Sequence, residues 1–257
     1  MKQKIKMIVS DLDGTLLRTD KTISGRSKAV LEKCRKVGIK VVYATARGGT
    51  ASKLAPSQYF DARIRCNGAL AFLGDVIIYE KLVPYKTVRS LLAGCNNRGL
   101  KATAEADDIH YSNFVVTDEW PIVTNFEIVD FSKFDKDAQK ICIIYKNHDD
   151  IDFIKNYLTK ELYLFLSRDN IAMIMHKEAS KAMAISVIAK VWEIEQAEIA
   201  AFGDDVNDID MLKSAGIGVA MGNAVEEVKA ITDYVCLSND QDGVVDWIER
   251  NIKISAN

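Results

Sequence analysis

Residues Ile5 to Val9 form a short apolar run that stops abruptly at Ser10-Asp11-Leu12-Asp13-Gly14. No other junction constrains the fold as much. An apolar run of that length, bounded by polar residues and glycine, predicts a buried strand that ends in a loop. Ser24 then stands where a helix N-cap belongs, ahead of Val30, Leu31, Cys34 and Val37 on one helical face, with Gly38 as the stop. Ile39 to Tyr43 is a second apolar run, ending at Ala44-Thr45. Two buried strands joined by one helix make a βαβ unit, which requires a parallel sheet.

The C-terminal third repeats this grammar. Ala182 to Trp192 predicts a helix, Ile199 to Phe202 a strand ending in Gly203-Asp204, and Val206 to Ser214 another helix. Gly218 to Met221 predicts a strand, Ala224 to about Ile231 a helix, Tyr234 to Leu237 a last strand and Val244 to Ile252 a last helix. The middle reads differently. Leu70 to Tyr79 predicts a hairpin turning at Gly74-Asp75. Pro84 to Arg98 predicts a helix, followed by strands at Lys101 to Glu105, Ile109 to Phe114 and Ile141 to Tyr145. A helix over Asp149 to Leu158 and strands at Leu162 to Leu166 and Ile171 to Met175 complete this part. Adjacent strands with few helices between them predict an antiparallel sheet covered on one face. The expected organisation is therefore a Rossmann-like α/β core with a parallel sheet, residues 1–81 and 179–257, interrupted by an inserted α+β cap domain at 82–178.

Charge and cysteine content narrow the classes of partner. A net charge of −2 gives no general attraction to nucleic acid or to an anionic membrane, so neither is expected as a partner. Any phosphate must be caught by a local site. Cys34, Cys66, Cys95, Cys142 and Cys236 are scattered and form no C-x-x-C pair, which points to reduced thiols in a cytoplasmic protein rather than to a disulfide framework or structural zinc. The apolar run before Asp11 is too short for a signal peptide.

In open parallel sheets ligands bind at the carboxyl ends of the strands. Three of the expected strands end in polar side chains, at Asp11, Thr45 and Asp204, and a parallel arrangement brings them to one edge. Asp11 and Asp13, two apart in extended chain, face the same way. Adjacent carboxylates repel unless a cation or proton lies between them, and Asp204 and Asp208 add further negative charge. A hard cation such as Mg²⁺ suits that donor set, whereas zinc would call for histidine or cysteine. Thr45 offers a hydroxyl and the amides after it can bind an anion. Lys181 after Ser180 stands at a helix start, where a cation opposes the dipole but completes a phosphate site with the exposed amides. Asn207 adds an amide donor near Asp204.

These residues in this order resemble the haloacid dehalogenase superfamily. Asp11-Leu12-Asp13-Gly14-Thr15 looks like its first motif, Thr45 its second, Lys181 its third, and Gly203-Asp204-Asp205-Val206-Asn207-Asp208 its fourth. Cys66-Asn67-Gly68-Ala69, Gly222-Asn223-Ala224 and Asp242-Gly243-Val244 extend the likeness to the Cof-type branch. Only 34 positions separate residues 11 and 45, too few for an insert beyond one helix and one strand. The 136 positions between 45 and 181 hold it, as in C2-capped, subclass IIB phosphatases.

The resemblance implies an Mg²⁺-dependent phosphatase acting on small phosphate monoesters, sugar phosphates or phosphorylated cofactors such as pyridoxal phosphate or FMN. It implies Asp11 as nucleophile and Asp13 as the acid that protonates the leaving group and then the base that activates water. A drier setting around Asp13 is expected to raise its pKa. Mg²⁺ is expected on Asp11, Asp204 and the main-chain carbonyl of Asp13, with Asp208 orienting bound water. Leu12, Thr45, Ala46, Arg47, Asn67, Lys181 and Asn207 are the implied phosphate and substrate contacts, Ala46 standing where relatives often carry glycine. The cap is expected to close over the site and read the rest of the substrate. A phosphotransferase or mutase, or a non-catalytic phosphate-binding regulator, are the alternatives, and a monomer or small homo-oligomer is expected. His110, His148 and His176 share no spacing and are expected in structural or surface roles, and Trp120, Trp192 and Trp247 in packing.

Overall fold

The computed structural model describes residues 4–167 and 169–254. In chain order the regular elements begin with β1 (Met7–Ser10), α1 (Gly25–Lys36), β2 (Lys40–Ala44), α2 (Ala51–Leu54), β3 (Ala62–Arg65), β4 (Leu70–Leu73) and β5 (Val76–Glu80). There follow α3 (Tyr85–Asn97), β6 (Ala102–Ala106), β7 (Ile109–Ser112), β8 (Phe126–Ile128), β9 (Lys140–Ile144), α4 (His148–Lys155), β10 (Leu162–Leu166) and β11 (Ile171–His176). The chain ends with α5 (Lys181–Val191), β12 (Ile199–Gly203), α6 (Ile209–Ser214), β13 (Ile217–Ala220), α7 (Glu226–Lys229), β14 (Tyr234–Val235) and α8 (Gly243–Asn251). They group into two compact units: residues 4–47, Ala51–Tyr79 and 180–254 form the first, and Gly48–Thr50 with Glu80–Ala179 form the second.

The first unit is built on one sheet with strand order β14-β13-β12-β1-β2-β3-β4-β5. From β14 to β3 every neighbouring pair is parallel; β4 turns back antiparallel on β3. β1 and β12 are buried along their whole length, as expected of parallel strands covered on both faces. That is why Met7-Ile8-Val9 reads as a continuous apolar run and not as an alternation. Helix α1 begins at Ser24, whose side chain accepts from Ser27 N, and buries Val30, Leu31 and Cys34. Helix α5 buries Ala184, Ile185, Ile188 and Ala189, and α8 sets Trp247 edge-on to Phe202 of β12 at 5.4 Å. Each buried face removes several large side chains from water, at about 1.5–3 kcal/mol apiece.

The second unit carries a sheet of order β10-β11-β9-β6-β7-β8, antiparallel except between β7 and β8. Ala102, Ala104 and Ala106 of β6 lie in the same apolar cluster as Val88, Leu91, Leu92 and Cys95 of α3. The small alanines let the helix approach the sheet closely. Among the described residues no helix is long and apolar enough to cross a membrane.

Candidate active site

The middle of the parallel sheet sets the positions of the acidic residues. Ser10 of β1 pairs with Phe202 of β12 on one side and Tyr43 of β2 on the other. Asp11, Asp204 and Thr45 therefore leave neighbouring strands at one edge, with Asp11 between the other two. The N–H of Asp11 still donates to Phe202 O at 3.0 Å, which holds the first residue of the loop in register. Lys181 arrives from another direction, as the first residue of α5, where Ser180 caps the helix by accepting from Met183 N at 3.1 Å.

Lys181 is the hub of the cluster. Its Nζ donates to Asp11 Oδ1 and to Asp208 Oδ1, each at 2.6 Å, and all three side chains are buried. The other oxygen of Asp208 accepts from the backbone N–H of Asp204 (3.0 Å) and Asp205 (3.2 Å). Asp208 thus spends both oxygens on holding the Asp204 loop and the lysine. Asp204 accepts from Thr15 Oγ1 at 2.7 Å.

The charge balance here is unfavourable without a further cation. Oxygens of Asp11, Asp204 and Asp208 lie within 4.8 Å of one another, and Lys181 is the cation that contacts two of them. Burial pushes the Asp11 carboxyl well above the usual carboxylate range, against the pull of Lys181 and helped by Asp208. Burial likewise pushes Asp204 up to about 6, against the Thr15 hydrogen bond. For Lys181 burial favours loss of the proton, but Asp11 and Asp208 outweigh it and hold the ammonium charged. All-oxygen donors short of positive charge are the chemistry that a hard divalent cation fits.

Asp13 forms a second group. Arg47 donates through Nε to Asp13 Oδ2 (2.5 Å) and through a terminal nitrogen to Oδ1 (2.7 Å), and Lys21 Nζ donates to Oδ1 at 2.8 Å. The expectation of a raised Asp13 pKa is corrected by this arrangement. Partial burial does raise it, but hydrogen bonds and charge from Arg47 and Lys21 prevail and leave it below the usual value. Lys21 was not singled out from the sequence. It reaches Asp13 from a tight turn closed by Arg18 N to Thr22 O, and a lysine eight positions along gives no local signal of that.

The remaining expected contacts lie in the loops after β1, β2, β3 and β12. Thr45 is buried, with Oγ1 accepting from Arg47 N at 3.1 Å, so the hydroxyl shapes its own loop. Asn67 accepts from Asn207 Nδ2 at 3.0 Å, which ties the segment after β3 to the Asp204 loop. Leu12 is fully buried; its carbonyl accepts from Leu17 N at 2.8 Å. Ala46 is half-buried between Thr45 and Arg47. His110 lies buried on β7, Trp247 packs on Phe202, and the residues clustered around Lys181 as possible metal ligands are all aspartates.

A covered parallel sheet that gathers several carboxylates around a buried lysine at its carboxyl edge is the framework of a hydrolase for phosphate esters. The chain belongs to the haloacid dehalogenase-like hydrolase family, which it matches over residues 8–248, and its relatives make it a Cof-type phosphatase. It is 32% identical over 264 residues to a putative phosphatase of Haemophilus influenzae, covering 95% of this chain and 97% of that one. It is 26% identical to a 5-amino-6-(5-phospho-D-ribitylamino)uracil phosphatase of Bacillus subtilis, covering 97% and 98%. Among solved structures it resembles a sugar phosphatase of subclass IIB, with TM-score 0.81, 26% identity and coverage of 95% and 98%.

Proposed function

We propose that this phosphatase hydrolyses small phosphate monoesters with Mg²⁺, through a phospho-aspartate on Asp11. One observation carries the reading: a buried lysine bridges Asp11 and Asp208 while Asp204 completes a cluster of carboxylates too negative to be balanced by it. Asp11 and Asp204, with the main-chain carbonyl of Asp13, would hold Mg²⁺, and Asp208 keeps the Asp204 loop in place. Bound there, the ion supplies positive charge that offsets the carboxylates and the incoming phosphate.

The chain's own residues account for the two steps. A carboxylate oxygen of Asp11 attacks phosphorus as the ester P–O bond breaks, and the leaving oxygen takes a proton from Asp13. Asp13 then takes a proton from water, whose oxygen attacks the phospho-aspartate and releases inorganic phosphate. Lys181 neutralises charge on Asp11 before and on the phosphoryl group after the transfer. The ion pair with Arg47 suits Asp13 as the base of the second step. Proton donation in the first step requires both Arg47 and Lys21 to let go of Asp13 and Asp13 to take up a proton from solvent beforehand; the phosphate dianion is the natural competitor for both cations.

The inserted residues 82–178 are proposed to read the alcohol part of the substrate. Relatives of similar identity carry a phosphoribitylamino-uracil substrate or a sugar phosphate in their names, so a polyhydroxylated phosphomonoester is the class to try first. A cytoplasmic location fits five cysteines that are all free thiols, Cys34 being pushed up to about 11 by burial and therefore unreactive. The test is phosphate release from a panel of phosphorylated sugars and cofactors with Mg²⁺, for wild type and Asp11→Asn. Mg²⁺-dependent release that vanishes in the variant supports the proposal. Release that persists in the variant sinks the role of Asp11, and transfer to an added alcohol without free phosphate favours a transferase.

A further inference from the structure

The second unit contains a buried charge that the reading of the site leaves unused. Glu105 of β6 is only 3% exposed. Strand register sets it opposite His110 of β7 on one side and Lys140 of β9 on the other. Its Oε1 lies 3.5 Å from His110 Nε2, and its Oε2 lies 3.4 Å from Lys140 Nζ. A carboxylate in such a place is costly to bury, and Lys140 offsets part of that cost. Ala102, Ala104 and Ala106 face the helical core from the same strand, so nothing in the packing of that core requires a glutamate at 105.

What Glu105 grips is a piece of the chain far away in sequence. The N–H of Gly49 donates to Glu105 Oε1 at 3.2 Å. Gly48 lies so near that a Cβ built on it would stand 1.4 Å from Oε1 and 2.2 Å from the carboxyl carbon. A Cβ on Gly49 would stand 2.9 Å from Cβ of Asp108, in the turn after β6. The two glycines thus let the backbone lie directly against the carboxylate. Gly48–Thr50 packs as part of the second unit, although the residues before and after it, Arg47 and Ala51, belong to the first.

We propose that Glu105 is a positioning residue: by holding the Gly48–Gly49 backbone it limits, through one peptide bond, where Arg47 and the preceding Thr45-Ala46 loop can lie. The effect on turnover rests on the phosphatase reading of Asp13, Arg47 and Thr45; the effect on the backbone does not. A loop whose far end is fixed leaves the Arg47 backbone fewer positions to visit after each exchange with phosphate. An untethered loop would spend part of its time with Arg47 misplaced.

The test combines amide hydrogen exchange of the 46–50 segment with steady-state kinetics on p-nitrophenyl phosphate and Mg²⁺. Glu105→Ala is expected to speed exchange at 46–50 about tenfold or more while β12 keeps its protection. It should lower kcat about tenfold with KM changed less than kcat, since displacement of a positioned group by about an ångström costs up to roughly a hundredfold in rate. Glu105→Gln keeps an oxygen that can accept from Gly49 N–H and should retain most of the protection and of kcat. Gly48→Ala leaves Glu105 and its ion pair in the sequence but forces backbone and carboxylate apart, so it should loosen the same segment. If Glu105→Ala and Gly48→Ala both fold and leave exchange at 46–50 unchanged, the tether is overturned. Loss of protection in Glu105→Gln equal to that in Glu105→Ala also overturns it. A wild-type chain without turnover would defeat the phosphatase reading, and the exchange comparison would still decide the tether.

Discussion

The ammonium of Lys181 lies 2.6 Å from Oδ1 of Asp11, and its nitrogen is equally close to Oδ1 of Asp208. The lysine is buried, so this contact is hardly screened by water or salt. Removing one partner of a buried ion pair costs about 3–5 kcal/mol, because the other charge is left without compensation. Lys181→Met would leave Asp11 and Asp208 in that state. The expected outcome is a fall in the unfolding midpoint of roughly 10 °C for a chain of this size. Phosphatase activity should fall at least about a hundredfold, since the proposed mechanism also has Lys181 neutralise the phosphoryl group. Calorimetry and a phosphate-release assay on the same sample check both. A folded, equally stable and active variant would contradict the part given to Lys181.

The carboxylates around that lysine predict a response to Mg²⁺ that can be read without any substrate. A ligand that binds the folded chain alone stabilises it by about 2.7 kcal/mol at a hundred times its Kd. Millimolar Mg²⁺ should therefore raise the unfolding midpoint by several degrees, and excess chelator should reverse the shift. Asp204→Asn removes one of the three clustered donors and should abolish most of the shift. Equal shifts in wild type and Asp204→Asn would place the ion elsewhere.

Gly68 joins two parts of the first unit at a point where no side chain fits. Its φ is +100°, and an added Cβ would stand 2.2 Å from the backbone carbonyl carbon of Ser180, the residue before Lys181. Gly68→Ala forces either the segment after β3 or the start of α5 to move. A stability loss above about 2 kcal/mol and loss of most activity are expected, the strain alone contributing about 1–2 kcal/mol. Gly38 is the control. Its φ is +85°, but nothing lies within 4 Å of an added Cβ. Gly38→Ala should cost only the strain and leave kcat unchanged. Similar kinetics in the two variants would show that the contact with Ser180 does not matter to the site.

The sequence made the parallel sheet legible because buried strands leave continuous apolar runs, and Met7 to Val9 and Ala200 to Phe202 are such runs. The strand over Ala62–Arg65 left no such trace. Its Arg63 and Arg65 set their guanidinium groups over the ring of Phe72 on the antiparallel neighbour, at 5.3 and 4.5 Å, so charged side chains stand where apolar residues stand in the other strands. Phe126–Ile128 is three residues long, too short for alternation to show. Lys21 and Glu105 were hidden for a different reason. Each is an ordinary charged residue whose partner comes from a distant segment, and a charge without local pattern reads as solvated. Asp13 was misjudged on the same ground, since Arg47 and Lys21 decide its proton affinity more than burial does.

His110 gives a pH dependence of stability whose sign follows from its surroundings. Burial pushes its pKa below the ordinary 6.5; Glu105 on β6 acts against this and Lys140 on β9 with it. Phe126, its neighbour on β8, carries no charge. The unfolded chain takes up a proton on His110 as pH falls through 6.5, whereas the folded chain resists until lower pH. The unfolded state therefore binds more protons in that window, and stability falls as pH falls. Glu105 acts in the same direction at lower pH. Burial alone would raise its pKa, but Lys140, His110 and the Gly49 N–H bring it below 4.5, so the stability it contributes is lost as pH falls through its folded value. Asp11 and Asp204, both raised by burial, act in the opposite sense in this window but are common to both proteins, so the comparison isolates His110: between pH 7.5 and 5.5 the wild-type midpoint should lose ground to that of His110→Asn, which cannot titrate there. Calorimetric scans of both proteins at the two pH values measure the difference, and equal slopes would show that His110 is protonated as readily in the folded chain as in the unfolded one.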